Sequence, residues 1–134
     1  MKKILFAFCI LVFGSTVAMA QDDNNPVPSA KFSELKHSFG NIPQGVPAST
    51  VFTYKNIGKQ PLVIETATAS CGCTSPEFQK TPVLPGKEGE VKVTYNAAAL
   101  GSFTKFVYVK FANNTKPALL KIDGVVEDKK AAKN

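Results

Sequence analysis

Apolar and polar residues alternate with a period of two along much of the chain. Phe52 and Tyr54 share one face of a segment whose other face carries Thr53 and Lys55, and the alternation recurs in later segments. Such a period is typical of antiparallel strands that pack on one side and meet solvent on the other. No stretch sustains the 3.6-residue apolar period of a helix. The pattern therefore predicts an all-β domain.

Glycine, proline and asparagine turn residues divide this pattern into short segments. One of them, 102–111, is apolar on both faces, which favours a central position in its sheet. In another, Leu62, Ile64 and Thr66 are expected to share one face. Such strands are typical of an immunoglobulin-like antiparallel β-sandwich of about seven strands. The seven predicted strands lie near residues 31–38, 50–56, 61–69, 76–80, 89–95, 102–111 and 117–126.

The first twenty residues are typical of a secretory signal peptide. Two lysines precede an apolar run from residue 4 to residue 13, and the small-residue pattern that ends at Ala20 matches a cleavage site. Neither this run nor any later one reaches the length of about 20 apolar residues that crosses a bilayer. We therefore expect cleavage between Ala20 and Gln21 and export to the periplasm or the extracellular space.

The rest of the chain divides into three parts. Residues 21–30 are polar, contain two prolines, and predict a flexible leader that buries nothing. Residues 31–127 form the single sandwich domain, and residues 128–134 are a polar tail. The mature chain has no Trp and no two cysteines far enough apart to bridge the sheets. We therefore expect the apolar core alone to hold the sandwich, which a chain of this size allows.

The charge distribution argues against a nucleic-acid surface. The formal net charge falls from +6 to +4 because two lysines leave with the signal peptide. Every basic residue is Lys and the lysines are scattered, whereas nucleic-acid readers rely on Arg for bidentate contacts. The chain lacks a Ser-His-Asp set, a paired-carboxylate motif and a phosphate-binding glycine loop, and His37 is interpreted as an ordinary strand residue. The sequence predicts no catalytic residues, no metal site and no cofactor.

The unusual chemical feature is the pair Cys71 and Cys73, separated by Gly72 and followed by a proline turn. In an extended strand their Cα atoms would lie roughly 6.5 to 7 Å apart, at the limit for a disulfide. A positive φ at Gly72 would bring them closer, and an exported protein meets an oxidising compartment. A local disulfide is therefore favoured. A loop this short removes only about 1.6 kcal/mol of unfolded-state entropy, so we expect a weak, strained and easily reduced bridge.

Three other interpretations of the pair stay open. A strained, exposed disulfide is the kind that exchanges with thiols, although the usual redox motif is C-x-x-C at a helix N-terminus and no helix is predicted here. Two thiolates could hold a soft ion such as Cu(I). A structural zinc site needs four ligands, and only His37 could join Cys71 and Cys73. The last interpretation is two free, partly buried thiols with a packing role.

Several motifs, taken together, resemble a known family. They are Phe39-Gly40-x-Ile42-x-x-Gly45, Phe52-x-Tyr54-x-Asn56-x-Gly58-x-x-Pro61-Leu62-x-Ile64, Ser70-Cys71-Gly72-Cys73-Thr74, Pro85-Gly86-x-x-Gly89, Val91-x-Val93-x-Tyr95, Gly101-x-Phe103 and Leu120-x-Ile122-x-Gly124-x-Val126. Over residues 36–127 the chain resembles the exported bacterial family known as domain of unknown function 1573. One departure is Phe78, where many members have Trp, and this changes the packing and not the class.

The resemblance implies an immunoglobulin-like sandwich related in shape to Hydin-type and major-sperm-protein modules, which mostly serve as binding or scaffolding domains. It implies no reaction, because the family's activity is unknown and a fold does not define a function. Sheet edges can take up extended segments, so the leading hypothesis is a non-catalytic binding or assembly module whose partner is another component of the cell envelope. The alternatives are a thiol-redox protein that uses Cys71 and Cys73 and a copper-binding protein.

Overall fold

The computed structural model describes residues 27–130. The predicted signal peptide, its cleavage point between Ala20 and Gln21, most of the predicted leader and the end of the polar tail lie outside the described residues. None of the residues from 27 to 130 belongs to a helix that is long and apolar enough to cross a membrane. The strands are β1 (Ala30–Phe32), β2 (Lys36–Pro43), β3 (Ala48–Asn56), β4 (Ile64–Ala69), β5 (Thr74–Phe78), β6 (Glu88–Tyr95), β7 (Gly101–Phe111) and β8 (Ala118–Glu127).

The strands form two four-stranded sheets that face each other. The first sheet has the order β1-β3-β6-β5, and the second has the order β2-β8-β7-β4. The predicted all-β sandwich is confirmed, with eight strands among residues 27–130 instead of about seven. The strand predicted to be central from its two apolar faces, β7, lies between β8 and β4.

The predicted strand at 31–38 is wrong as a single element, because the chain changes sheets within it. Ser33 N–H donates to Thr53 O at 2.9 Å in the first sheet, whereas Leu35 O accepts from Lys121 N–H at 2.8 Å in the second. The crossing takes place between these two bonds. No glycine or proline marks it, so the alternation of apolar residues did not reveal it.

The expectation of purely antiparallel sheets is also wrong for one pair of strands. The strand β2 pairs with β8 in parallel, while the other paired strands are antiparallel. The chain moves from the first sheet to the second within the three residues between β1 and β2, and β2 then runs beside β8 in the same direction.

A β-bulge corrects the predicted face of Thr66. Ile64 is buried, as expected, but Thr66 is exposed. The register of β4 on β7 skips one position between these two residues, so Glu65 is inserted into the strand. A bulge reverses which later positions face the core, and it is Ala67 and Ala69 that pack inward.

The core lies between the two sheets and begins before the predicted domain boundary. The predicted leader extended to residue 30 and was expected to bury nothing, but Val27 and Ala30 are each 1% exposed. Ala30 N–H donates to Val27 O at 3.2 Å, and this turn brings Val27 onto the core. The largest other fully buried side chains are Phe52, Phe111, Ile64, Leu120 and Ile122.

The two ends of the sandwich are built from different loops and are called the asparagine end and the cysteine end. At the asparagine end, β3 stops at the buried Asn56 and the loops 57–63 and 79–87 meet. At the cysteine end, β4 continues through Cys71, Gly72 and Cys73 into β5. The chain therefore passes from the edge of the second sheet to the edge of the first sheet through the cysteine turn.

Candidate functional site

Cys71 and Cys73 form a disulfide in the turn that joins β4 to β5. Their Cα atoms are 5.3 Å apart, within the usual range for disulfides. Thr74 N–H donates to Cys71 O at 3.4 Å, which closes the chain into a tight turn. The local disulfide that the sequence favours is thus present, and the interpretation as two free thiols does not describe this structure.

Gly72 shortens the distance between the cysteines without the positive φ that we expected. Within residues 27–130, the glycines with positive φ are Gly40, Gly45, Gly86 and Gly101. A Cβ atom added to Gly72 would meet no atom within 4 Å. Neither the backbone conformation nor the available space therefore requires glycine at this position, and its missing side chain leaves the turn uncovered.

Thr74 places a hydroxyl beside the disulfide, a feature that the sequence analysis did not single out. The residue is only 4% exposed, and its Oγ1 lies 3.7 Å from Cys71 Sγ and 3.9 Å from Cys73 Sγ. A threonine hydroxyl can donate a hydrogen bond as well as accept one. The signal that could have found it is its place as the last residue of the Ser70–Thr74 motif, at the start of a strand.

The two sulfur-bearing residues have unequal surroundings. Both are half-buried, but Cys73 packs against the hydrophobic core together with Ala67 and Ala69. Among the described residues, Cys71 does not belong to that group. Of the two cysteines, Cys73 is therefore the one in contact with the core.

The backbone on both sides of the disulfide is held by hydrogen bonds that do not involve sulfur. Ser70 N–H donates to Phe106 O at 2.9 Å, and Ser70 Oγ accepts from Phe106 N–H at 3.1 Å. Asn96 N–H donates to Cys73 O at 3.0 Å. These bonds attach the turn to β7 on one side and to the end of β6 on the other.

The loop after β6 is itself fixed at the cysteine end. Asn96 Oδ1 accepts from Ala98 N–H at 3.1 Å, and Ala97 is fully buried with a φ of 51°. Gly45 N–H donates to Ala97 O at 2.9 Å, and Gln44 Nε2 donates to Ala98 O at 3.0 Å. The loop that bonds the cysteine turn is therefore itself fixed by hydrogen bonds.

Two shifted ionisable groups lie in other parts of the sandwich. Asp123 pairs in register with Ser38, and the hydrogen bond from the Ser38 side chain holds the pKa of Asp123 below its usual value, with a further contribution from Lys36. The nitrogens Lys36 Nζ and Lys121 Nζ are 3.4 and 3.6 Å from Asp123 Oδ2. At the asparagine end, burial raises the pKa of Tyr54.

The structure does not bring His37 together with the cysteines. His37 Nδ1 lies 3.3 Å from Glu34 Oε1, and the His37 ring packs edge-on against Phe39 at a centroid distance of 4.9 Å. Within the described part of the chain, no group of three or more His, Cys, Asp and Glu side chains could hold a metal ion. The set of Cys71, Cys73 and His37 that was weighed for zinc is therefore not assembled there.

Comparison with known proteins identifies one family model. The model described as "Protein of unknown function (DUF1573)" matches residues 30–126. No curated protein matches this sequence.

Solved structures share the fold at low sequence identity. A protein of unknown function from Porphyromonas gingivalis W83 superposes with a TM-score of 0.62 and 14% identity, covering 72% of this chain and 46% of that protein. The VesB protease of Vibrio cholerae gives a TM-score of 0.59 and 20% identity, covering 73% of this chain and 32% of the protease. The PapD-like domain 7 of human CEP192 gives 0.64 and 9%, covering 93% and 99%.

These likenesses show the sandwich fold alone. The chain spans less than half of the Porphyromonas protein and about a third of the protease. It matches the PapD-like domain over nearly the whole of both chains.

Proposed function

We propose, from the premise that this chain belongs to the DUF1573 family of proteins of unknown function, that it is an exported, non-catalytic binding or assembly module of the cell envelope. Its partner is another envelope protein, which contributes an extended segment to the edge of β4. The likeness to a PapD-like domain supports a binding or assembly role over an enzymatic one. The edge of β4 is chosen because it is less protected than the other sheet edges.

The observation that carries this proposal is the difference between β4 and the other sheet edges. Natural sheets protect their edges with very short strands, prolines, charges and bulges. The edge strand β1 has three residues, β5 contains Pro76, and β2 carries Lys36, a register shift and a terminal Pro43. In β4 the bulge and Glu65 protect only the beginning, and residues 66–69 are Thr, Ala, Thr and Ala.

The backbone groups of this stretch point in known directions. Ser70 N–H donates toward β7, and the direction of backbone groups alternates along an antiparallel strand. The N–H and C=O groups of Ala67 and Ala69 therefore point away from β7, toward the open edge. An added strand would pair with these groups, as in β-augmentation.

The outer face of the second sheet offers contacts beside this edge. Thr68 pairs with Tyr108, and Tyr108 pairs with Leu119, so the three side chains form one row across β4, β7 and β8. Tyr108 and Leu119 are 42% and 41% exposed. Aromatic and aliphatic cross-strand neighbours stabilise pairing. An added strand would therefore extend a row that already contains an exposed aromatic ring.

The test is proline at Ala67 with serine at the same position as the matched control. Ala67→Pro removes one outward N–H group and leaves the bonds of β4 to β7 in place, while Ala67→Ser keeps that group. The tagged mature protein is cross-linked in envelope extract, and the captured proteins are quantified. We expect wild type and Ala67→Ser to capture the same partner, and Ala67→Pro to lose at least about tenfold of it, the equivalent of one to two hydrogen bonds.

Two further results test whether the partner adds a strand at the edge of β4. Hydrogen exchange of the complex should show protection of the amides of Ala67 and Ala69. Equal capture by the proline variant, or protection confined to another edge or face, would overturn strand addition at β4.

A further inference from the structure

The hydrogen bonds at the cysteine end indicate that the disulfide is not needed to hold its own turn. The backbone bonds of Ser70, Cys73 and Thr74 anchor the turn to β7, to Asn96 and to itself. None of them involves a sulfur atom. Breaking the sulfur–sulfur bond would therefore leave this conformation in place, and oxidised and reduced forms of the protein would share one fold.

Access to the disulfide is open on the side of Gly72. A side chain would fit at that position, and φ there does not demand glycine. The sequence nonetheless has no side chain between Cys71 and Cys73. An approaching thiol therefore meets no side chain of residue 72.

The surroundings of the two sulfurs differ in a way that assigns roles to them. Among the described residues, Cys73 packs against the hydrophobic core and Cys71 does not belong to that group, so Cys71 Sγ is the sulfur that an approaching thiol would meet. The buried Thr74 hydroxyl is 3.7 Å from Cys71 Sγ and 3.9 Å from Cys73 Sγ, where it can donate a hydrogen bond to the sulfur that leaves as a thiolate.

We propose that the Cys71–Cys73 disulfide is a thiol-exchange site that accepts two electrons from a dithiol, either a protein pair or a small molecule. A thiolate of the dithiol attacks Cys71 Sγ, and the electron pair of the Cys71–Cys73 bond leaves with Cys73 Sγ. The resulting Cys73 thiolate accepts a hydrogen bond from Thr74 Oγ1. The product of this first step is a mixed disulfide between Cys71 and the dithiol.

The second thiolate of the dithiol then attacks its own sulfur in the mixed disulfide and releases Cys71 as a thiolate. The dithiol is thereby oxidised to a disulfide, and the two cysteines are reduced and take up the two protons that the dithiol has lost. The reverse steps restore the starting state. Thr74 Oγ1 touches both sulfurs of the bond that breaks, at 3.7 Å from Cys71 Sγ and 3.9 Å from Cys73 Sγ, so its hydroxyl acts directly on the reacting atoms. The exchange does not depend on strand addition at β4.

The first experiment uses the wild-type mature protein and needs no variant. The protein is mixed with glutathione under native conditions, quenched in acid at successive times, and examined by intact mass and peptide mapping. We expect the mixed disulfide on Cys71 in at least about tenfold excess over Cys73, followed by full reduction with dithiothreitol while the circular dichroism spectrum stays native. No reduction unless denaturant is added, or loss of the fold on reduction, would overturn the proposal. Glutathione mainly on Cys73 would overturn the assignment of roles.

The second experiment tests the hydroxyl with a matched pair of variants. Thr74→Val removes it and keeps the shape, while Thr74→Ser keeps it. We expect Thr74→Val to slow reduction by dithiothreitol about tenfold, as for loss of one hydrogen bond to a charged group, and Thr74→Ser to stay within about threefold of wild type. The pH dependence of the rate should shift with Thr74→Val, a change that a packing role would not produce. Unchanged rates and pH dependence in Thr74→Val would remove Thr74 from the step.

Discussion

Asn56, at one end of the sandwich, is buried with every polar atom of its side chain bonded. Cys71 and Cys73, at the other end, are half-buried in a turn whose backbone hydrogen bonds do not involve their sulfur atoms. Asn56 Nδ2 donates to Gln60 O and to Val83 O, both at 2.8 Å. Asn56 Oδ1 accepts from Gly58 N–H at 2.9 Å. One side chain thus fastens two loops, and the disulfide fastens none.

The glycines of the two ends also differ in how closely other atoms pack around them. A Cβ atom on Gly58 would lie 2.9 Å from Ser29 Cβ, and one on Gly89 would lie 2.5 Å from the Tyr54 ring. A Cβ atom on Gly72 would touch nothing within 4 Å. Packing therefore explains the residues of the asparagine end, while it leaves the Cys71–Gly72–Cys73 turn unexplained.

Among the changes that test this difference between the two ends, Asn56→Ala is expected to have the largest effect on stability. The change removes three side-chain hydrogen bonds and leaves the Gln60 carbonyl and the Gly58 N–H group without their Asn56 partner, while Val83 O keeps its bond from Leu62 N–H. We therefore expect a loss of about 3 to 5 kcal/mol in the free energy of unfolding. Urea denaturation measures it. The control is Asn41→Ala, an exposed residue that bonds Glu127, for which we expect less than about 0.5 kcal/mol. Equal losses of stability in both variants would show that the buried hydrogen bonds of Asn56 contribute no more than an exposed one.

A matched pair of glycine substitutions compares the two ends directly. Gly89→Ala forces a methyl group against the buried Tyr54 ring, and overpacking of this kind costs about 1 to 3 kcal/mol. Gly72→Ala adds a methyl group in open space, and we expect a change within about 0.5 kcal/mol. Thermal or urea unfolding of both variants measures the difference. A large loss for Gly72→Ala would mean that the cysteine turn is as tightly packed as the asparagine end.

Reduction of the disulfide should change stability less than Asn56→Ala does. The closed loop is so short that the entropy it removes from the unfolded chain amounts to about 1.6 kcal/mol at most. Urea unfolding of the wild-type protein with and without a phosphine reductant measures this, and the slope with denaturant should stay unchanged because the buried surface is the same. A loss above about 3 kcal/mol would make the disulfide a structural bridge and would break the contrast.

The alternation of apolar residues was enough to predict most of the fold. It located β3, β6, β7 and β8 to within a few residues, because each has one inner face of large apolar side chains, such as Phe52 and Tyr54 in β3. It did not predict the change of sheet between Ser33 and Leu35, the bulge at Glu65 or the parallel pairing of β2 with β8. Each of these depends on which strand lies beside which, and a period of two along one segment carries no such information.

The candidate site was only partly predictable. The proximity of Cys71 and Cys73 follows from their spacing, and the resemblance to the family drew attention to the motif. The roles of its neighbours depend on tertiary structure. Thr74 is buried because β5 lies against β6. The positive φ expected at Gly72 is wrong, because glycine often adopts a positive φ but Gly72 is not among the glycines that have one.

The smallest expected effects are changes in stability with pH. The pKa of Tyr54 in the first sheet is shifted by burial, whereas the pKa of Asp123 in the second sheet is shifted mainly by a hydrogen bond. Burial raises the pKa of Tyr54 above 10.0, so its contribution is full below pH 10 and is lost as the pH rises toward the folded pKa. Hydrogen bonding from Ser38 lowers the pKa of Asp123 below 3.8, so its contribution is present above that pH and is lost as the pH falls through the folded pKa. Tyr54→Phe should therefore flatten only the alkaline limb of stability against pH, and Asp123→Asn only the acid limb.

Salt distinguishes the causes of these two shifts. The Asp123 carboxylate interacts with Lys36 and Lys121 at the surface, so about 1 M salt should weaken part of the acid-limb effect by screening. The alkaline effect at Tyr54 comes from burial of the ring at the asparagine end, and burial is not screened, so salt should leave it unchanged. Equal salt sensitivity of the two limbs in urea titrations would show that the Tyr54 hydroxyl responds to surface charge, and the asparagine end would then be less closed than its packing implies.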